Sequence, residues 1–219
     1  MQRIQVSTHE PDLASRTFNG RWLTSLLAVL MLLGGFAAGR LLVPQAPAEG
    51  SPEVAFARDM AAHHDQAVEM AVMLRDRGTN EELRAIALDI ILTQQAQSGQ
   101  MQGWLAVWGR PLAGAGPPMG GLGEMMGMAT VDEINRLASL SPAETEVLFL
   151  QLMIRHHQGG IMMGRQAQTR TRRLEVVRLA AAIVNSQQNE IDAMETMLRA
   201  RGAPLPAPVE PMLEHGGHT

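Results

Sequence analysis

Apolar residues recur at spacings of three and four along four stretches of this chain, and the same stripe is written twice. The first stretch reads Phe56, Met60, His63, Ala67, Met70, Leu74. At an offset of 93 residues (63 to 156) it returns as Phe149, Met153, His156, Gly160, Met163, Ala167. Two further stripes obey the same offset: Ala87, Ile90, Gln94, Gln97, Met101 and Ala180, Ile183, Gln187, Glu190, Met194. At about 100° per residue, each set falls on one face of an α-helix.

Punctuation between the stripes sets the predicted elements. A helix is expected from Pro52 to Arg77, stopped by Gly78 and followed by a new N-cap at Thr79-Asn80. The next runs to about Trp108, where Gly109-Arg110-Pro111 ends it. Residues 113–129, rich in Gly, Pro and Met, are expected to hold no regular element. A short helix over Val131–Ser139 precedes Ser141-Pro142-Ala143-Glu144, an N-cap with proline at the first helical position and a capping-box glutamate. The third long helix then reaches about Gln168, and the fourth spans about Arg172 to Arg201 before Gly202 and Pro204.

Four long helices in two duplicated hairpins predict an all-α fold, a four-helix bundle in which each helix buries one stripe. The repeats are placed at about 53–111 and 146–204, within a domain of residues 53–203. Residues 44–52 read as a linker and 204–219 as a flexible tail.

The N-terminal segment sets the expected compartment. Residues 22–43 are apolar apart from Thr24, Ser25, the glycines and Arg40, and Arg3, Arg16 and Arg21 precede them. With residues 1–21 as a cytoplasmic lead, this predicts a transmembrane anchor. A cleaved secretion signal is the alternative, with Ala46-Pro47-Ala48 resembling a cleavage site. Either way, the domain after residue 50 is expected outside the cytoplasm, in the periplasm or at the cell surface.

Composition narrows the chemistry. Aromatic residues make up 3% of the chain and Tyr is absent, so aliphatic residues and methionine must form the core. A formal charge of −4 gives no basic footprint for nucleic acid. With no cysteine, thiolate sites and disulfides are excluded. Sixteen methionines remain, and the bland explanation for most of them is core filling. A soft metal would then depend on thioether and imidazole, a donor set that suits Cu(I).

The stripes carry candidate ligands. His63 and His156 lie within the core face, with His64 and His157 about 100° round, at its edge. Folding each hairpin brings His63 level with Gln94, His156 level with Gln187, Met60 towards Met101 and Met153 towards Met194. The expected result is a soft-metal site built twice, from His63, His64, His156, His157, Met60, Met70, Met153 and Met163. Met101, Met194, Gln94, Gln187 and Glu190 are secondary candidates. Met125, Met126 and Met128 in the loop, with Met119 beside them, have no core stripe to fill. His215 and His218 in the tail are the remaining candidates.

Three functions compete at this stage: a copper-binding protein, a structural bundle with a self-satisfied His–Gln network, and a ferritin-like di-metal oxidase. The oxidase needs inward carboxylates on all four helices and two Glu-x-x-His motifs. Neither motif is present, and only Glu190 is both acidic and on a core stripe. The expectation is a non-enzymatic protein that sequesters or hands over copper, with a copper-transfer protein and a second copy of the chain as candidate partners.

The segments MAAHHDQAVEMA (60–71) and LMIRHHQGGIMMG (152–164), with WLAVWG (104–109), resemble the bacterial "domain of unknown function 305" family over most of residues 53–203. The resemblance implies a ferritin-like helical bundle. It also implies kinship with CopM-like extracytoplasmic copper-binding proteins linked to copper resistance, with the His-His and Met positions above as matching ligands. Two departures stand out. Gly159-Gly160-Ile161-Met162 replaces a commoner Gly-Ala-Val/Ile-Glu run, losing an acidic residue, and Arg155 stands where proline is frequent.

Overall fold

The computed structural model describes residues 20–42 and 45–209. The chain divides into two compact units between Gln45 and Ala46. The first carries helix α1, Gly20–Leu42, over the apolar N-terminal segment. Among the described residues no helix is long and apolar enough to cross a membrane. Of the segment expected as an anchor, 22–43, α1 covers the part up to Leu42, and residue 43 lies outside the described residues. The expected lead up to residue 19, and His215 and His218 in the tail, lie outside the described residues.

The second unit is a four-helix bundle of α2 (Pro52–Arg77), α3 (Glu81–Val107), α5 (Pro142–Arg170) and α6 (Leu174–Ala200), with short α4 (Val131–Ser139) before α5. Asn80 caps α3 by accepting from Leu83 N at 2.8 Å. At the start of α5, Glu144 accepts from Ser141 N at 3.1 Å. Each hairpin packs internally, and α2 packs against α5. These two central helices run antiparallel, because His63 meets His156 while Met60 shares a cluster with Met163 and Met70 with Met153.

A polar layer divides the core. On one side Met70, Leu74, Leu83, Ile90, Phe149, Met153 and Met194 are buried together. On the other lie Val54, Phe56, Met60, Met101, Leu105, Met163, Val176 and Ile183. Fully burying one such side chain stabilises the fold by about 1.5–3 kcal/mol. His63, His64, Gln94, Ser98, His156, His157 and Gln187 are buried between the two clusters.

Polar contacts tie the hairpins together at both ends. Glu146 on α5 accepts from Thr79 N (2.9 Å) and Asn80 N (2.8 Å) in the turn of the first hairpin, and from Arg201 Nη2 (2.9 Å). Glu53, at the same repeat position on α2, accepts from Thr171 Oγ1 in the turn of the second hairpin. Burial pushes the Glu146 carboxyl up, but the hydrogen bonds from Arg201, Asn80 and Thr79 outweigh it and hold its pKa below the ordinary value.

Candidate metal centre

The antiparallel α2–α5 contact brings the two His-His pairs into one place. The His63 and His156 rings lie 3.7 Å apart between centroids, tilted by 31°, and His156 and His157 are 6.3 Å apart. The expectation of two separate sites is thus corrected to one merged centre. A second correction concerns His64 and His157: both are fully buried rather than at an edge. Helical periodicity sees only the helix's own stripe, whereas α3 and α6 reach past it to cover these rings.

Each flanking histidine is oriented by the residue at the same repeat position on its partner helix. His64 Nε2 lies 2.8 Å from Gln97 Oε1, and His157 Nε2 lies 2.5 Å from Glu190 Oε2. His63 Nε2 reaches the backbone carbonyl of Met126 at 3.0 Å. Burial is the main reason that the His63 pKa is lowered to about 4 and that of His64 to about 3. Burial also drives His156 well below its ordinary value, with the neighbouring histidines adding to the effect. These imidazoles are neutral at neutral pH. Since a carbonyl oxygen only accepts, Nε2 of His63 and of His64 must carry the proton, and Nδ1 of each is left as a bare lone pair.

Those lone pairs have no protein partner. Nδ1 of His63, His64 and His157 and both ring nitrogens of His156, five atoms in all, are buried without a hydrogen bond. The amides of Gln94 and Gln187 are likewise unpaired, although buried level with the rings as the stripes predict. Each such group costs about 1–3 kcal/mol unless something engages it. Among the described residues no three side chains of His, Cys, Asp or Glu, the four histidines of this layer included, are arranged as a ready-made metal site. The unpartnered donors of this layer are imidazole nitrogens, and methionines are buried in the core clusters on either side of it. They fit a soft ion of low coordination number better than a hard divalent one.

The methionines sort by end of the bundle. Met60, Met101 and Met163 lie on one side of the layer, and Met70, Met153 and Met194 on the other. The segment expected to be irregular forms two 3₁₀ turns, Pro118–Gly121 and Glu124–Met126, and lies against the bundle. Met126 is buried with the first methionine set, Met128 is half-buried and Met125 is exposed.

This loop depends on two glycines, Gly159 on α5 and Gly127 in the loop itself. A Cβ on Gly159 would stand 1.7 Å from the Met126 carbonyl oxygen, and one on Gly127 would stand 2.2 Å from the Arg155 carbonyl oxygen. Only bare backbone on both sides lets the loop approach α5 and present its carbonyl to His63. Gly160 similarly leaves space for the Gln187 amide. Arg155 pairs with Glu133 at 2.6 Å and donates to the Met128 carbonyl at 3.3 Å. Gln66 bonds both Ala129 N (2.7 Å) and Ala129 O (2.9 Å). The stripes gave no sign of Gln66, Gly127 or Gly159 as supports. Glu53 and Glu146, by contrast, share a repeat position and were detectable from it.

Comparison with known proteins follows the same outline. The family described as "Domain of unknown function (DUF305)" matches residues 53–198. A DUF305 protein of Streptomyces coelicolor described as secreted is 43% identical, with a TM-score of 0.69 over 73% of this chain and 99% of its own. A DUF305 fragment from Deinococcus radiodurans is 39% identical, with a TM-score of 0.65 over 72% and 99%. CopM in its Cu(I)-bound form is 27% identical, with a TM-score of 0.56 over 68% of this chain and 96% of its own. CopM also has structures in Cu(II)-bound and Ag-bound forms. No curated protein matches the chain.

Proposed function

The chain belongs to the DUF305 family, and from that premise we propose that it is an extracytoplasmic copper-binding protein, without enzymatic activity, that sequesters or hands over copper in copper homeostasis or resistance. One observation carries the reading. Four buried histidines share one layer, and five of their ring nitrogens have no partner. A network serving structure alone would be expected to close on itself, since unpaired buried groups only destabilise. The copper-bound and silver-bound forms of CopM support the choice of ion, and the secreted relative supports the compartment.

His63, His64, His156 and His157 supply the nitrogens in this reading, and Met60, Met70, Met153 and Met163 supply sulfur on either side, with Met101 and Met194 behind them. Gln97 and Glu190 hold the flanking rings in orientation, as outer partners of metal-bound histidines commonly do. Neutral imidazole and thioether favour Cu(I), which they bind without proton release. A di-metal oxidase is not supported, because Glu190 is the only acidic residue bonded to a histidine of the layer among the described residues.

The test is a Cu(I) competition titration of the purified chain beside a His63→Ala/His156→Ala variant. The wild-type chain is expected to take copper from a colorimetric chelator, and the variant to lose the copper held by the histidine layer. Unchanged stoichiometry in the variant overturns the assignment to this layer.

A further inference from the structure

Outside the histidine layer the structure holds a cavity of about 310 Å³ whose wall includes Met119, Met126 and Met163. Phe56, Leu122 and Ala167 complete much of its apolar lining, while Asp59 and the exposed Arg170 add one charge of each sign. Three methionines among its lining residues bring thioether, the donor that holds a soft monovalent ion, and an apolar surround suits a cation of low hydration.

Met119 stands there at a conformational cost. It has φ 54° and ψ 23°, in the left-handed region that a side chain enters only at a penalty, although Gly120 and Gly121 follow it directly. Such strain persists where the surroundings enforce it, and it is a pointer to function. Here Asp59 Oδ1 accepts from Met119 N at 2.8 Å, and the side chain is buried. The cavity also joins the histidine layer through one residue. Met126 lines it with its side chain, while its carbonyl oxygen accepts from His63 Nε2.

The geometry points to a second soft-metal site, a thioether vestibule formed by Met119, Met126 and Met163, that captures Cu(I) or Ag(I) beside His63 and supplies it to the histidine centre. The inference rests on the copper-binding reading but assigns a separate ion to Met119 and Met126, which that reading does not use, with Met163 standing between the two sites. Met119 and Met126 come from the loop and Met163 from α5, so the vestibule exists only while the loop lies against the bundle.

Silver(I) is the probe, since it resembles Cu(I) and undergoes no redox change in air. In the full chain labelled with ¹³C at the methionine methyls, Ag(I) titrated to saturation is expected to shift Met119 and Met126, which take no part in the histidine centre, together with Met163. Calorimetric titration of Met119→Leu/Met126→Leu, which leaves every proposed ligand of the histidine centre in place, should show one equivalent fewer than wild type, while His63→Ala/His156→Ala keeps that equivalent. Vestibule methyls that do not move in the wild-type protein overturn the site, whatever the fold of the variants. If the methyls stay still while silver still binds through the histidines, the vestibule fails and the copper reading stands. A wild-type chain that binds no silver overturns both.

Discussion

At the scale of single residues, the inward direction of His63 and His156 was legible from the 3.6-residue period, and so was the level at which Gln94 and Gln187 meet them. The burial of His64 and His157 was not. Gln97 and Glu190 on neighbouring helices decide it, and a stripe on one helix carries no information about how far another helix reaches. Desolvation of His63 and His64 gives a pH dependence with a definite sign. In the unfolded chain His63 accepts a proton at its ordinary value of 6.5, but in the fold it resists until about 4. Protons therefore favour the unfolded state in this window, and stability is lost as pH falls from about 6.5 towards 4. For His63 alone the loss is about 3 kcal/mol at about 1.4 kcal/mol per pKa unit. Urea unfolding at pH 7 and pH 4.5 measures it. A midpoint unchanged between those values contradicts the neutral buried ring. A second residue-level prediction concerns Gly159→Ala. Its methyl group meets backbone rather than a movable side chain, so the variant should lose about 1–3 kcal/mol. Faster amide exchange at Met126 and Gly127 should accompany that loss.

At the scale of elements, helix limits followed from capping signals with little error: α2 and α4 span the residues expected, and α3, α5 and α6 differ from expectation by about two residues at their ends. The Met-rich segment was legible only as irregular. Its docking depends on tertiary approach to Gly159 and on side chains such as Gln66 and Arg155, which no local pattern announces. The hairpin turns are held by carboxylates from the opposite hairpin, and Glu146 makes the larger set of bonds. Glu146→Ala leaves Arg201 and two turn amides without their acceptor, so it should cost about 3 kcal/mol. The equivalent change at Glu53 removes a smaller set and should cost less. Thermal unfolding of the two variants side by side decides the order, and an equal loss would contradict these contacts as the hairpin ties.

At the scale of the molecule, the duplicated hairpin was readable as a bundle, whereas the merging of its two histidine pairs was not. A repeat predicts two copies of a site but not whether its symmetry axis runs through them. Here the axis passes between His63 and His156, so the two half-sites become one layer with a core on each side. That layer weakens the apo bundle, and an ion preferring the folded state must restore stability. Added Cu(I) should therefore raise the thermal midpoint of the wild-type chain by more than that of His63→Ala/His156→Ala. Whether copper sits among these imidazoles is decided by X-ray absorption at the copper edge of the chain loaded with Cu(I) until both soft sites are filled. The structure predicts the multiple-scattering pattern of bound imidazole together with sulfur in the first shell, the imidazole part vanishing in the double histidine variant. A spectrum with no imidazole contribution in the wild-type protein would contradict it.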